Sequence, residues 1–212
     1  MDHVIISINR EYGSGGLEIG GKLSERLGIA VHNADIVRVT ADRTGIDQKY
    51  FSENDEKPAD SLVSTLLLGT FKMNFGANPY ESTVMRDKIF QMQADVIKEF
   101  ADREDCIMIG RCAGYLLRDY PQVIRVFLSA DMNFRAKRIM QSEGIGWDEA
   151  AKQIHRTDKD RENYFTHYTG EKWRDCGTYD LAIRTSETGI DGAVDLIIDY
   201  AKLRFGEDIF NR

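Results

Sequence analysis

The sequence predicts an α/β protein built on a parallel sheet. Two observations carry that prediction. Five short runs of mainly β-branched and apolar residues, at 4–8, 29–32, 106–110, 123–128 and 180–185, alternate with stretches of helical periodicity. The first of these runs leads directly into glycines that open a helix, the layout of a phosphate-binding loop.

The elements follow in order. Residues 4–8 (VIISI) carry no charge, as a strand covered on both faces requires. Ile19, Leu23 and Leu27 then recur every fourth residue on one helical face, and Gly28 stops that helix. Residues 29–32 read as a second strand and 34–46 as a helix ending at Gly45. The stretch 47–80 joins a charged run containing Pro58 to apolar and mixed runs, and reads as an irregular or helical insert. Met85, Ile89, Met92, Val96 and Phe100 define an amphipathic helix whose default is to face its own core, a dimer seam being the alternative, with Ser82 as its N-cap. Strands at 106–110 and 123–128 follow. Ser129 or Asp131 caps a helix through Met140, Gly144 and Gly146 break the chain, and a helix starts near Trp147. Residues 156–177 are polar and aromatic. The strand at 180–185 and the helix bearing Ala193, Leu196, Ile197, Tyr200 and Ala201 close the chain.

Composition bounds the function. A chain of 212 residues is enough for one domain with a substantial core. Its net charge of −7 argues against a general nucleic-acid binder, whose footprint is basic, while leaving room for a local basic cleft around a small anion. No apolar run approaches the ~18 residues of a membrane span. The N-terminal segment lacks the basic flank and cleavage site of a signal peptide, so a cytoplasmic protein is expected. Three cysteines, Cys106, Cys112 and Cys176, with no CxxC pair, fit a reducing compartment and neither a disulfide framework nor a structural zinc site.

The loop "REYGSGGLE" is half of a Walker device. The motif GxxxxGK[ST] supplies backbone amides, a lysine and a magnesium-holding hydroxyl. Here Arg10 occupies the first glycine position, Gly15 the second, Gly16 the lysine position and Leu17 the hydroxyl position. Gly13, Gly15 and Gly16 allow close approach of an anion, and the helix start adds its partial positive charge. Arg10 can reach a bound phosphate. A tight strand-to-helix turn without ligand is the alternative.

At this point the sequence resembles a known family. "ISINREYGSGGLEIGGKLSERLGI" is similar to the opening of the bacterial cytidylate kinase-like family, divergent relatives of cytidylate kinase among the P-loop nucleoside monophosphate kinases. "CIMIGRCAGYLL", "RVFLSADMNFRAKRIM" and "HRTDKDRENYF" resemble further motifs of that family, in the same order. The resemblance implies a P-loop kinase fold with a five-stranded parallel sheet, an acceptor-binding insert at 40–80 and a lid at 141–177. It implies ATP and Mg2+ as cofactors and a small phosphorylated acceptor, with CMP or dCMP first. It places Gly13, Ser14, Gly15, Gly16, Leu17 and Arg135 at the donor and Arg111 at the acceptor phosphate. Arg10, Arg138, Arg156 and Arg161 gather around the phosphates, with Asp158 orienting a lid arginine. The aspartate common after the second strand is Asn33 here, and Asp35 is its substitute.

Such a constellation suits phosphoryl transfer, which is mainly positioning and charge stabilisation. Arg135 and Arg138, three apart, share a helix face. Arg156 and Arg161, five apart, diverge by about 140° on a straight helix and converge on one ligand only if the helix ends between them. Ser14 and Glu18 are the nearby magnesium candidates, Glu18 equally serving the helix dipole. Tyr164, Phe165, Tyr168 and Trp173 pack the lid or offer a stacking face. Besides a nucleotide kinase, the sequence admits a nucleotide sensor without turnover, which the missing lysine favours, and a kinase for another metabolite with Asp35 as base. It is compatible with an oligomer.

Overall fold

The computed structural model describes residues 3–44 and 79–210. In chain order these form β1 (Ile5–Arg10), α1 (Gly16–Leu27), β2 (Ala30–His32), α2 (Ala34–Thr44), α3 (Pro79–Arg103), β3 (Cys106–Ile109) and α4 (Ala113–Leu116). They continue with β4 (Val123–Ser129), α5 (Met132–Glu143), α6 (Trp147–Thr169), a 3-10 turn (Cys176–Thr178), β5 (Leu181–Arg184) and α7 (Thr185–Phe205). Every strand pair is parallel, and the strand order is β2-β3-β1-β4-β5.

The two-residue period of the strands sorts the core into two layers. Ile6, Ile8, Ile107, Ile109, Ile124, Val126 and Leu128 face one side, where Ile19 and Leu23 of α1 and Ala193, Val194 and Ile197 of α7 cover them. Ile5, Cys106, Met108 and Val123 face the other, under Ile36 of α2, Val96, Ile97 and Phe100 of α3, and Ala113 of α4. The central strands β1, β3 and β4 are covered on both faces, which is why they read as mainly apolar runs, whereas the edge strand β5 exposes Ala182 and Arg184.

Several boundaries depart from the sequence reading. β1 does not stop at Ile8 but continues through Asn9 and Arg10, paired with Phe127 and Leu128. The polar Asn9 is tolerated because its side chain is hydrogen-bonded at both ends, accepting from Trp173 Nε1 and donating to the Tyr179 hydroxyl. Ser82 lies inside α3, not at its cap, because the helix already begins at Pro79. The buried face of α3 is broader than the expected stripe. Phe90, Gln93, Ala94, Ile97 and Ala101 are buried beside Val96 and Phe100, whereas Ile89 and Met92 are only half-buried. Of the two caps proposed for α5, Asp131 is the one used, its carboxylate accepting from Phe134 N–H at 2.8 Å. The helix from Trp147 runs unbroken to Thr169, so the polar and aromatic stretch from 156 is its second half. Residues 45–78, most of the expected insert at 40–80, lie outside the described residues.

The aromatic residues of the stretch from 164 to 173 pack. Phe165 and Trp173 are buried, Phe90 stacks on Tyr168 at 3.9 Å, and Phe127 meets Trp173 edge-on at 5.4 Å. Cys106 and Cys112 are buried and Cys176 is exposed. Burial pushes the Cys106 thiol up to about 12, and only the thiolate is nucleophilic. Native protein is therefore expected to lose one thiol to a brief treatment with a thiol-disulfide reagent, and three after denaturation. Two fast-reacting thiols in the native state would contradict this packing. Among the described residues no helix is long and apolar enough to cross a membrane.

Candidate functional site

In a parallel sheet of this order the crevice lies at the C-terminal end of β1, between β3 and β4. The loop 11–15 leaves from that point, and its backbone groups are accounted for one by one. Glu11 N–H extends the sheet by donating to Leu128 O at 2.9 Å. Tyr12 N–H donates to Asp158 Oδ1 at 2.7 Å. Ser14 N–H and Oγ both turn back to Glu11 O. Gly13 (φ 82) and Gly15 (φ 92) take left-handed conformations that a side chain would strain. A Cβ on Gly15 would also lie 2.3 Å from Ile190 Cδ1.

Among the described residues, the N–H groups of Gly13, Gly15, Gly16, Leu17 and Glu18 have no acceptor, and α1 has no side-chain N-cap. These amides surround the positive end of a helix, an arrangement that favours an anion. They face a cleft of about 460 Å³ bounded by the loop, the start of α1, the Arg138–Ser142 side of α5, and Arg161.

Arg10 is buried and lines this cleft. Its stem crosses the Walker lysine position: a Cβ on Gly16 would stand 2.8 Å from Arg10 Cγ and 3.1 Å from its Cβ. Arg161 donates from Nη1 to Arg10 O at 2.9 Å and lies over the Tyr12 ring at 5.5 Å. Arg138 pairs with Glu18 across the cleft mouth at 2.6 Å. Arg135 is buried, donating to Asp158 at 2.5 Å and standing 3.7 Å from Glu11. Arg156 is not brought to this group. Because α6 continues straight through both positions, Arg156 is exposed while Arg161 faces the loop.

Asp158 is 5% exposed and holds three donors: Tyr12 N–H, Arg135 and Arg174. Arg174 also donates to Glu11 Oε1 at 2.9 Å, and the other Glu11 oxygen accepts from Ala130 N–H at 3.2 Å. Two carboxylates and two guanidinia thus tie the loop to β4, α5, α6 and the chain after α6. Glu11 and Arg174 were not among the expected site residues. The glutamate sits inside the quoted loop motif, whereas nothing in the sequence brings residue 174 to residue 11. Tyr12 adds a further tie, donating to Glu143 at 2.6 Å. Burial, reinforced by that carboxylate, raises the phenol to about 12, so it stays protonated at neutral pH.

The remaining expected residues lie elsewhere. Arg111 follows β3 and is 3% exposed. It and Cys112 have φ of 55 and 58, directly after Gly110 at 78. Left-handed backbone costs a non-glycine residue roughly 1–2 kcal/mol, and strain of this kind concentrates at functional sites. Asp35, in the first turn of α2, pairs with Arg38 at 2.9 Å and lies 3.6 Å from His32. Ser14 is fully buried and its hydroxyl donates to Glu11 O, so among the two magnesium candidates Glu18 is the one exposed to the cleft. Among the described residues no group of three or more His, Cys, Asp or Glu could hold a metal ion.

A parallel five-stranded sheet with an amide cradle after its central strand defines the P-loop kinase class of fold. The chain belongs to the cytidylate kinase-like family, whose model matches residues 5–187. It is 28% identical over 201 residues to a cytidylate kinase of Saccharolobus islandicus, covering 94% of this chain and 92% of that one. A crystal structure of an uncharacterized protein from Eubacterium ventriosum superposes with a TM-score of 0.69 at 26% identity, covering 95% of this chain and all of the other. The crystal structure of TT1252 from Thermus thermophilus shares the fold alone, with a TM-score of 0.52 at 12% identity over 96% of this chain and 99% of the other.

Proposed function

We propose that the protein is an ATP-dependent nucleoside monophosphate kinase with CMP or dCMP as its preferred acceptor. The observation that carries this reading is the set of amides at the head of α1 that have no acceptor among the described residues, ringed by Arg10, Arg138 and Arg161 in one cleft. The cytidylate kinase name of the archaeal relative supports the acceptor. In this reading the amides of Gly13, Gly15, Gly16 and Leu17 bind the donor phosphates. Arg10 supplies the charge that a Walker lysine supplies elsewhere. Arg161 and Arg138 stabilise the transferring group, Arg135 and Asp158 hold the loop in place, and Arg111 binds the acceptor phosphate. The attacking phosphate oxygen is already anionic, so no general base is needed. Residues 40–80 serve as the acceptor-binding insert and 141–177 as the lid, and the protein works in the cytosol on small nucleotides.

Magnesium fits this site as a partner of the nucleotide rather than of a protein cage, since Mg2+ commonly keeps several waters and is held by substrate phosphates with one or two carboxylates. Of the two carboxylates that line the cleft, Glu11 and Glu18, the exposed Glu18 would meet its water shell. The ion would neutralise charge on the bridging phosphates.

A coupled assay for ADP formation from Mg·ATP across CMP, dCMP, UMP, AMP, GMP and no acceptor tests the proposal. Turnover is expected with CMP or dCMP. Arg111→Ala is expected to raise the acceptor KM at least about tenfold, the scale of one lost charge-assisted hydrogen bond, and to leave ATP binding intact. Equal turnover with every acceptor, or unchanged acceptor KM in the variant, would refute the assignment. A sensor without turnover is the second reading, favoured by Leu17 in the hydroxyl position. It predicts ATP binding with no product under any acceptor.

A further inference from the structure

We propose that Thr185, 171 residues away from the loop in sequence, is a positioning residue. Its hydroxyl holds the Ser14–Gly15 peptide in the orientation that turns Gly15 N–H into the cleft. The inference rests on the reading of that cleft as the donor-phosphate site.

Thr185 is the first residue of α7, immediately after β5, and is completely buried. Its Oγ1 lies 2.8 Å from Ser14 O and 3.2 Å from Ser129 O. A hydroxyl has one proton to donate, and the shorter contact identifies Ser14 O as its main acceptor. In a trans peptide the carbonyl and the following N–H point to opposite sides. Tying Ser14 C=O down toward α7 therefore aims Gly15 N–H the other way, toward the cleft.

Glycine cannot keep that orientation by its own sterics, since it populates both signs of φ readily. If the peptide turns over, the Ser14 carbonyl faces the cleft, and an oxygen meets the phosphate where a donor stood. The restraint must come from outside the loop, and the first turns of α7 supply it. Ser186 Oγ accepts from Asp131 N–H at 3.2 Å, which seats this segment against the start of α5. The non-helical Gly189 (φ 69) lets the chain bend so that Ile190 Cδ1 closes beneath Gly15. The Tyr12–Gly13 peptide, two peptides earlier in the loop, has a weaker version of the same device: Arg135 Nη1 reaches Tyr12 O at 3.5 Å. Preorganised amides of this kind matter most where charge must be met without rearrangement.

The test compares Thr185→Val, which keeps the shape and removes the hydroxyl, with Thr185→Ser, which keeps the hydroxyl. Mg·ATP affinity, kcat and KM are measured for each. An amide NMR titration of the unaltered protein runs beside them. ATP is expected to shift the Gly15 amide proton downfield in the unaltered protein. Thr185→Val is expected to bind ATP about tenfold or more weakly, the scale of a lost buried hydrogen bond, with the acceptor KM unchanged. Thr185→Ser is expected to stay within about twofold of the unaltered protein, well inside that loss. Native ATP affinity in Thr185→Val, or equal losses in both variants, overturns the proposal while leaving the donor-site reading intact. A Gly15 amide that stays in place while ATP binds also overturns it. Failure of the unaltered protein to bind ATP overturns the donor-site reading, and this proposal with it.

Discussion

Gly16→Lys is expected to lower ATP-dependent turnover about a hundredfold, and Arg10→Gly added to the same chain to restore much of it. Taken naively, Gly16→Lys repairs a defective Walker loop and should help. The packing says otherwise. The space where a side chain at position 16 must begin is crossed by the stem of Arg10, 2.8 Å from Cγ and 3.3 Å from Cδ. Arg10 is only 8% exposed, so the stem has little room to withdraw. Overpacking of this kind typically costs about 1–3 kcal/mol. It also displaces the cation that serves the cleft, and turnover is expected to fall about a hundredfold, in the range of a lost electrostatic donor. Arg10→Gly alone removes the cation and is expected to lose a similar amount. Together the two changes regenerate GxxxxGK with the clash gone and one cation present. The double variant is expected to exceed either single variant by at least about tenfold, a coupling that is the mark of residues sharing one space. Kinetics and melting temperature of the four proteins measure it, and losses that simply add would remove Arg10 from the role proposed. Position 10 carries the glycine and position 16 the cation in a Walker loop; here the two are exchanged, because only one side chain fits between them.

How much of this was legible in the sequence depends on the range of the interaction. The strands, the α1 helix stopping at Gly28 and the loop itself are local patterns, set by period, by glycine and by capping. Asp131 is another local signal, three residues before the amide that it caps. The sequence pattern stops β1 short of Asn9 because the partners that answer its polarity, Trp173 and Tyr179, lie more than 160 residues on. The candidate site divides the same way. The glycines and Arg10 are readable because a phosphate loop is contiguous. Glu11, Arg174 and Thr185 acquire meaning only when β1, β4, β5 and the end of α6 meet at one sheet edge. Arg156 was placed with Arg161 by motif, and the sequence already held the objection: five residues on an unbroken helix turn about 140° apart. The structure adds that α6 does not end between them.

The same meeting of elements makes Asp158→Asn a damaging change despite its conservative shape. Asparagine can still accept from Tyr12 N–H through its carbonyl oxygen. Its amide then faces Arg135 and Arg174, donor against donor, and among the described residues Glu11 is the one carboxylate left to both guanidinia. Breaking a buried ion pair by removing one partner costs about 3–5 kcal/mol. Arg174 is 43% exposed and recovers part of its solvation, which lowers the expected loss to roughly 2–4 kcal/mol. For a chain of this size that is a melting temperature about 4–16 °C lower. The loss is expected to exceed that of Arg174→Gln, because Arg174 can be replaced by water where Arg135, buried on all sides, cannot. Removing both sides of the mismatch should be gentler than removing one. Asp158→Asn combined with Arg174→Gln takes away a buried charge and the partly exposed cation that lost its partner. The double variant is expected to melt above the temperature that adding the two single shifts gives. Denaturant melts and ATP affinities of the four proteins test this. If Asp158→Asn leaves both unchanged, the loop is held by its own turn geometry, and the carboxylate network around Tyr12 is incidental to the site.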